Sequence, residues 1–98
     1  MQTEDSKNIK PLKETQPVTT IFDEEKFFRI ITELPGIAEE KIKIEIAHYS
    51  HTVTITASNP LIQFKNTVLI PCDVRFSKKQ FLDGFLEIIL EKLPSDNL

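Results

Sequence analysis

The sequence predicts an all-β fold, a two-sheet antiparallel sandwich of six to eight short strands. Apolar and polar residues alternate with a period of two through most of the chain after residue 21, which is typical of half-buried strands. Turn residues interrupt this alternation about every 8–12 residues, and no segment has a long helical period. Ile, Val, Thr and Phe are abundant, and these residues suit a pleated surface. The 98 residues are enough for one such domain.

Composition and charge argue against several classes of function. Twelve Lys and Arg against fifteen Asp and Glu leave a net charge of −3, whereas nucleic-acid binders and proteins that dock on anionic membranes carry a basic surplus. The two glycines are too few for a phosphate-binding loop. The polar, acidic N-terminus, the absence of a long apolar run and the single cysteine, Cys72, predict a cytoplasmic protein without disulfides.

Both ends of the chain are expected to lie outside the fold. Residues 1–20 have no periodicity, contain two prolines and have few apolar side chains, so they cannot bury enough surface to offset the entropy of ordering. We therefore predict a disordered tail over 1–20, a folded domain over 21–93 and a frayed end over 94–98.

The first two predicted strands flank Pro35-Gly36, a strong break. Residues 27–34 alternate and are apolar on both faces toward their start, until proline, which lacks an N–H for the sheet ladder, ends the strand. A turn or a single helical turn over the acidic residues 37–41 precedes the cleanest alternation in the chain, with isoleucines inward and charged residues outward. The inward residues are Ile42, Ile44 and Ile46.

Two further strands follow in the middle of the chain. Residues 47–51 predict a hairpin loop, and the alternation of residues 53–57 places threonines on the solvated face. After a turn over 58–60, residues 62–70 carry apolar side chains at the even positions. Asn66 interrupts this apolar face, which predicts a bulge.

The last part of the chain is less regular. Residues 74–83 have mixed periodicity, which leaves a short strand and a helical turn both open. Asp83-Gly84 predicts a tight turn into the last strand. That strand points Leu86, Ile88 and Leu90 inward.

Phe85 and Ile89 fall on the outer face of this last strand. Exposed apolar side chains of this kind can mark a binding surface. Two alternatives stay open: the pair forms such a surface, or a loop or the N-terminal segment covers it.

The histidines and the cysteine do not indicate catalysis or a metal site. His48 and His51 are three residues apart in the predicted hairpin loop, but no cysteine or carboxylate cluster lies near them in sequence, so we expect solvated loop histidines. Ser50 beside His51 does not predict a nucleophile and its base, because adjacent residues on a strand point apart. Cys72 is expected to be a small, partly buried apolar residue. We predict no catalytic residue, no metal and no cofactor.

Several motifs occur in order along residues 22–92. They are Leu34-Pro35-Gly36-Ile37 followed by Ile42-Lys43-Ile44-Glu45-Ile46 and Val53-Thr54-Ile55, then Leu69-Ile70-Pro71, and finally Asp83-Gly84-Phe85-Leu86 with the strand that runs to Lys92. Together they resemble the α-crystallin domain of small heat shock proteins, the heat shock protein 20 family. The resemblance implies an immunoglobulin-like sandwich.

Departures from the family pattern concern assembly. The link Ser58-Asn59-Pro60-Leu61 is too short to hold the exchange strand of members that swap strands, and no Ile-x-Ile motif follows Lys92 to dock into a neighbour. Lys79 stands where many members have a small residue. We therefore expect a monomer or a weak homodimer rather than a large oligomer. The related CS domain is similarly compact, but it relies on tryptophans that this chain lacks.

The resemblance implies an ATP-independent chaperone of the stress response, a holdase that captures aggregation-prone polypeptides. In the family an apolar groove lies between two edge strands, which here are the strand at Ile42–Ile46 and the segment Val74–Leu82. We predict that Ile42, Ile44 and Phe81 line it and bind client segments by strand addition. The alternative is an adaptor or co-assembly subunit that uses the same sandwich to bind one specific protein partner, without general holdase activity.

Overall fold

The computed structural model describes residues 13–94, which form eight strands and two single turns of 3-10 helix. The strands are β1 (Lys13–Thr15), β2 (Thr19–Asp23), β3 (Phe27–Glu33), β4 (Ile42–Ala47), β5 (Thr52–Ser58), β6 (Ile62–Leu69), β7 (Val74–Leu82) and β8 (Phe85–Lys92). One sheet has the order β1-β6-β5-β4 and the other β2-β3-β8-β7. All neighbours are antiparallel except β1 and β6. The predicted all-β sandwich is confirmed.

The core lies between the two sheets and is built from alternate residues of both. On β8, Leu86, Ile88 and Leu90 are completely buried, as the alternation predicts. Val53 and Ile55 of β5 are equally buried in the facing sheet. Full burial of one such side chain contributes roughly 1.5–3 kcal/mol, so this layer is the main source of stability.

Two glycine turns meet at one end of the sandwich. Gly36 and Gly84 have φ angles of 76° and 80°, in the left-handed region that favours glycine. Asp83, with a φ of 53°, joins Gly84 in the predicted tight turn between β7 and β8, which requires positive φ at both positions. The N–H of Leu34 donates to the Gly84 carbonyl at 2.7 Å. A backbone hydrogen bond therefore joins the two turns that the sequence predicted.

The predicted start of the fold is wrong. Residues 13–15 pair with β6 and residues 19–23 pair with β3, although composition predicts disorder over 1–20. The segment was misjudged because sheet pairing and polar contacts hold it, rather than apolar burial. Residues 1–12 and 95–98 lie outside the described residues, so the predicted tails there stay predictions.

A polar network holds this N-terminal segment against the sandwich. Gln16 donates from Nε2 to Oδ1 of Asn66 at 2.8 Å, and Asn66 donates from Nδ2 to the Thr19 hydroxyl at 2.9 Å. The Thr19 hydroxyl lies 3.3 Å from that of Thr32, a fully buried residue. Pro17 is buried where the chain crosses from one sheet to the other. The segment thereby closes one side of the sandwich.

Contrary to the sequence prediction, Asn66 does not mark a bulge. It pairs in regular register with Ile55 and is 8% exposed. The inward position tolerates a polar side chain because both the donor and the acceptor of its amide have partners. The break in the apolar pattern marks the contact with the N-terminal segment.

The bulge lies in β7 instead. Register with β8 shifts between Phe76 and Lys78, which leaves Ser77 as the extra residue. Before the shift Phe76 faces the other sheet, and after it Lys79 does so. This change of parity explains the mixed periodicity of residues 74–83, of which 74–82 form one strand and Asp83 begins the turn into β8.

Replacing Gln16 with alanine is expected to lower the free energy of unfolding by about 1–2 kcal/mol, because the buried Asn66 oxygen loses its donor. Urea unfolding measures the change. Gln80→Ala is the control, since Gln80 is exposed on the outer face of β7, and its effect should stay within about 0.5 kcal/mol. Equal losses in the two variants would show that the network does not stabilise the fold.

Candidate functional site

The side of the sandwich opposite the N-terminal segment is open. There β4 is the free edge of one sheet and β7 the free edge of the other, and no strand of residues 13–94 covers either edge. A groove of about 380 Å³ lies between them. It is lined by Ile44 and Ile46 of β4 and by Phe76 and Lys79 of β7.

All four of these side chains point toward the groove. Side chains of β4 alternate between the two faces of its sheet, and the bulge in β7 shifts which residues of that strand face inward. Ile44 and Ile46 lie opposite buried residues of β5, so they share the inward face of their sheet, yet both are only half-buried. Phe76 and Lys79 lie opposite inward residues of β8, and Phe76 is 43% exposed. The result is an apolar cleft with one ammonium group among its lining side chains.

The structure places the three residues predicted to line the groove at different depths. Ile44 is in the groove wall. Ile42 is 8% exposed and belongs to the core, and Phe81 is partly buried against that core. Their contact with a bound segment stays a prediction.

Sequence reasoning missed Ile46, Phe76 and Lys79 as lining residues. Ile46 could have been found, because it has the parity of Ile44 on a regular strand. The alternation of the sequence could not show that Phe76 and Lys79 share a face of β7. They are three residues apart, and only the bulge brings them to the same side of the strand.

The two free edges give the groove hydrogen-bonding capacity. An edge strand leaves backbone N–H and C=O groups unpaired, and an extended segment can add to it as a further strand. Alternate side chains of the added strand then enter the groove. The site is therefore suited to an extended segment with apolar residues two positions apart.

The β7 edge is basic. Its nine residues, Val74–Leu82, include one arginine and two lysines and no acidic residue. Arg75 is paired with Glu91, with 2.7 Å between Nη2 and Oε1. Neither Lys78 nor Lys79 takes part in the ion pairs found among residues 13–94. Lysines on an edge also disfavour pairing of this strand with its own copy.

A second apolar surface lies on the outer face of the β7–β8 sheet. Phe85 is 48% exposed and Leu82 60%, and with Ile31 they border an open cavity of about 530 Å³. Ile89 is half-buried on the same face. No loop or segment that the structure describes covers Phe85. Of the two alternatives for this face, an exposed or a covered apolar surface, the described residues therefore show the exposed one.

The loop histidines are not equivalent. His51 has a left-handed backbone, with a φ of 55°, and its Nε2 lies 2.8 Å from Oδ1 of Asp73. Its carbonyl accepts a hydrogen bond from the Ile70 N–H at 2.8 Å. His51 therefore joins the β4–β5 loop to the segment after β6, whereas the sequence predicted only a solvated loop histidine. His48 is exposed as predicted. Cys72 is half-buried and unpaired.

Residues 13–94 contain neither a cluster of metal-ligating side chains nor a helix that could span a membrane. No group of three or more His, Cys, Asp or Glu side chains lies close enough together to hold a metal ion. None of the helical segments in this part of the chain has the length and apolar character that a membrane crossing needs.

Several small heat shock proteins of known structure share this architecture. Heat shock protein 16.0 from Schizosaccharomyces pombe matches with a TM-score of 0.69 at 19% identity, covering 86% of this chain and 93% of that one. HSP18.5 from E. histolytica matches with a TM-score of 0.68 at 18% identity, covering 86% and 94%. The small heat shock protein from Synechococcus phage S-ShM2 matches with 0.67 at 21% identity, covering 85% and 92%. No protein-family model matches the chain, and no curated protein sequence does so significantly.

These likenesses show the fold. Over most of its length the chain has the β-sandwich of small heat shock proteins, which confirms at this level the resemblance carried by its motifs. At 18% to 21% identity the likeness concerns the fold and not the activity.

Proposed function

We propose that this protein is an ATP-independent holdase that binds aggregation-prone polypeptides in the groove between β4 and β7. The observation that carries the proposal is one apolar cleft flanked by two unpaired strand edges. A partly unfolded polypeptide exposes extended apolar segments. Such a segment gains backbone hydrogen bonds along an edge and removes alternate apolar side chains from water, and neither gain requires a nucleotide.

The fold supports a chaperone kind of function, because the solved structures that share it are small heat shock proteins. The groove itself supports binding rather than catalysis. Within the part of the chain that the structure describes, its lining consists of two isoleucines, a phenylalanine and a lysine, with no carboxylate, imidazole or thiol. A lysine can act as a general base or as a nucleophile, but such catalysis relies on a second group within hydrogen-bond reach, and the other three lining side chains are not titratable.

We place this activity in a monomer or weak homodimer of the cytoplasm. The link between β5 and β6 is closed by Asn59, whose Oδ1 accepts hydrogen bonds from the N–H groups of Leu61 and Ile62 at 2.8 and 2.9 Å. Its Nδ2 donates to the Gly36 carbonyl at 3.1 Å. A link held this tightly does not extend toward a neighbour. The lone, half-buried Cys72 suits a reducing compartment.

The test is light scattering from a heat-denatured model client, with the full chain added at equimolar ratio and without ATP. We expect most of the scattering to be suppressed, and an unrelated β-sandwich protein of similar size serves as the control. Circular dichroism at the assay temperature establishes that the protein is folded. A folded protein that leaves the scattering unchanged would overturn the holdase function.

A second candidate is an adaptor that binds one specific protein partner. It is favoured by the small groove, which only four side chains line, and by its basic edge, since both restrict the segments that fit. Tight one-to-one binding of a single partner, with no suppression of client aggregation, would select this function over the holdase.

A further inference from the structure

Among residues 13–94, Lys79 is the one charged side chain that lines the groove. We infer that the groove prefers extended segments in which acidic residues accompany the apolar pair, and that Lys79 determines this preference. The inference rests on the proposed function, because it specifies the chemistry of the segment that the same groove takes.

The bulge in β7 gives Lys79 its position. Lys79 lies opposite Ile88, an inward residue of β8, and therefore projects from the side of β7 that faces the groove. Its side chain nevertheless remains exposed. A lysine in this setting lays its alkyl stem along the apolar wall and keeps its ammonium group in water. The charge is thus held at the rim, where a bound segment passes.

Acidic residues on the neighbouring strands do not neutralise this ammonium group. On β8, Glu91 pairs with Arg75, and Glu87 lies 3.6 Å from Nε of Arg29. On β4, Glu45 alternates with the lining isoleucines and so points to the outer face of its sheet. Lys79 itself takes part in none of the ion pairs among residues 13–94. Its charge remains available to a ligand.

The rest of β7 acts in the same direction. Glu91 offsets the charge of Arg75, but Lys78 and Lys79 take part in none of the ion pairs among residues 13–94, so a segment that runs along the strand lies near two ammonium groups. Successive side chains of an added strand point to opposite sides. When apolar residues enter the groove, the residue between them points toward the rim and solvent. An acidic residue there is attracted to Lys79, whereas a basic one is repelled.

Three labelled peptides of equal length test the preference, with Ile-Glu-Ile, Ile-Gln-Ile or Ile-Lys-Ile at their centres. Fluorescence anisotropy with the full chain at low ionic strength measures each Kd. We expect the acidic peptide to bind about threefold to fivefold more tightly than the neutral one, and the basic peptide to bind more weakly than both, as for an exposed charge pair. Salt near 1 M should remove the differences, because it reduces the screening length to about 3 Å.

Variants assign the preference to Lys79. Lys79→Gln should equalise the three affinities, and Lys79→Glu should reverse their order. Lys65→Gln is the matched control. Lys65 is exposed on β6, and β5 lies between that strand and β4, the strand that borders the groove. It removes the same charge and should keep the preference for the acidic peptide.

The outcomes separate the inference from the proposed function. Equal affinity for all three peptides would overturn the inference and leave the proposed function intact. Failure of a folded protein to bind any of them, together with no suppression of client aggregation, would overturn both. A stable dimer that no peptide dissociates would make a second copy of the chain the occupant of the groove, which also overturns the inference.

Discussion

Replacing Ile88 with alanine is expected to lower the free energy of unfolding by about 2–5 kcal/mol. Ile88 is completely buried on the inner face of its sheet, between Ile30 of β3 and Lys79 of β7. Truncation leaves a cavity that a close-packed layer fills only in part. Because a small domain is stable by about 5–15 kcal/mol in total, this change removes a large share of it. Urea denaturation followed by circular dichroism measures the loss.

Ile89→Ala is the matched control, since it makes the same change one residue further along the same strand. Ile89 is half-buried on the outer face, so this variant should lose about 1 kcal/mol or less of its free energy of unfolding. Ile88→Val removes a single methylene group at a cost of about 0.5–1.5 kcal/mol and supplies a value if the alanine variant does not fold. Equal losses at the two neighbouring positions would show that the assignment of inner and outer faces is wrong.

Most of the sandwich could be predicted because burial in it depends on parity alone. In β3, β5 and β8 every second residue is buried along nearly the whole strand. A pattern with a period of two displays this directly, since a shift by one residue would turn every apolar side chain to solvent. The ends of these strands were also visible. Pro35-Gly36 and Asp83-Gly84 are breaks that the backbone angles require.

The first two strands left no such pattern. Every residue of β2 is exposed or half-buried, so its position depends on backbone pairing with β3 and on the contacts of Thr19. Backbone hydrogen bonds are available to almost any sequence and leave little trace in composition. Asn66 is the one sign of this segment in the sequence, and the pattern predicts a bulge there because a buried amide and an irregular strand interrupt an apolar face in the same way.

The lining of the groove could be predicted only in part for a related reason. All three have inward parity, but Ile42 belongs to the core, and of Ile44 and Phe81, which are both partly buried against it, Ile44 lines the groove. How deeply an inward side chain is buried depends on how far the facing sheet extends over it. The sequence of a single strand does not reveal this. The bulge in β7 adds a second obstacle, since it reverses the parity of the residues that follow it.

Replacing Ile44 and Phe76 together with serine is expected to raise the amount of protein needed to suppress client aggregation about tenfold or more. Both side chains line the groove, and both remain partly exposed without a ligand. A bound segment would therefore lose apolar contact surface worth about 1.4 kcal/mol or more, which corresponds to a factor of ten in affinity. The same light-scattering assay measures the change, and urea unfolding checks that the sandwich stays folded.

Leu82→Ser with Phe85→Ser is the matched control, because it removes a similar apolar surface from the outer face beside the same hairpin. These side chains are 60% and 48% exposed, so the double change should lower the free energy of unfolding by about 1–2 kcal/mol and leave client capture nearly intact. If the outer-face variant lost capture while the groove variant kept it, the client surface would be the cavity near Ile31 and not the groove. A general fall in surface hydrophobicity would weaken both variants alike. Only binding within the groove separates them in the expected direction.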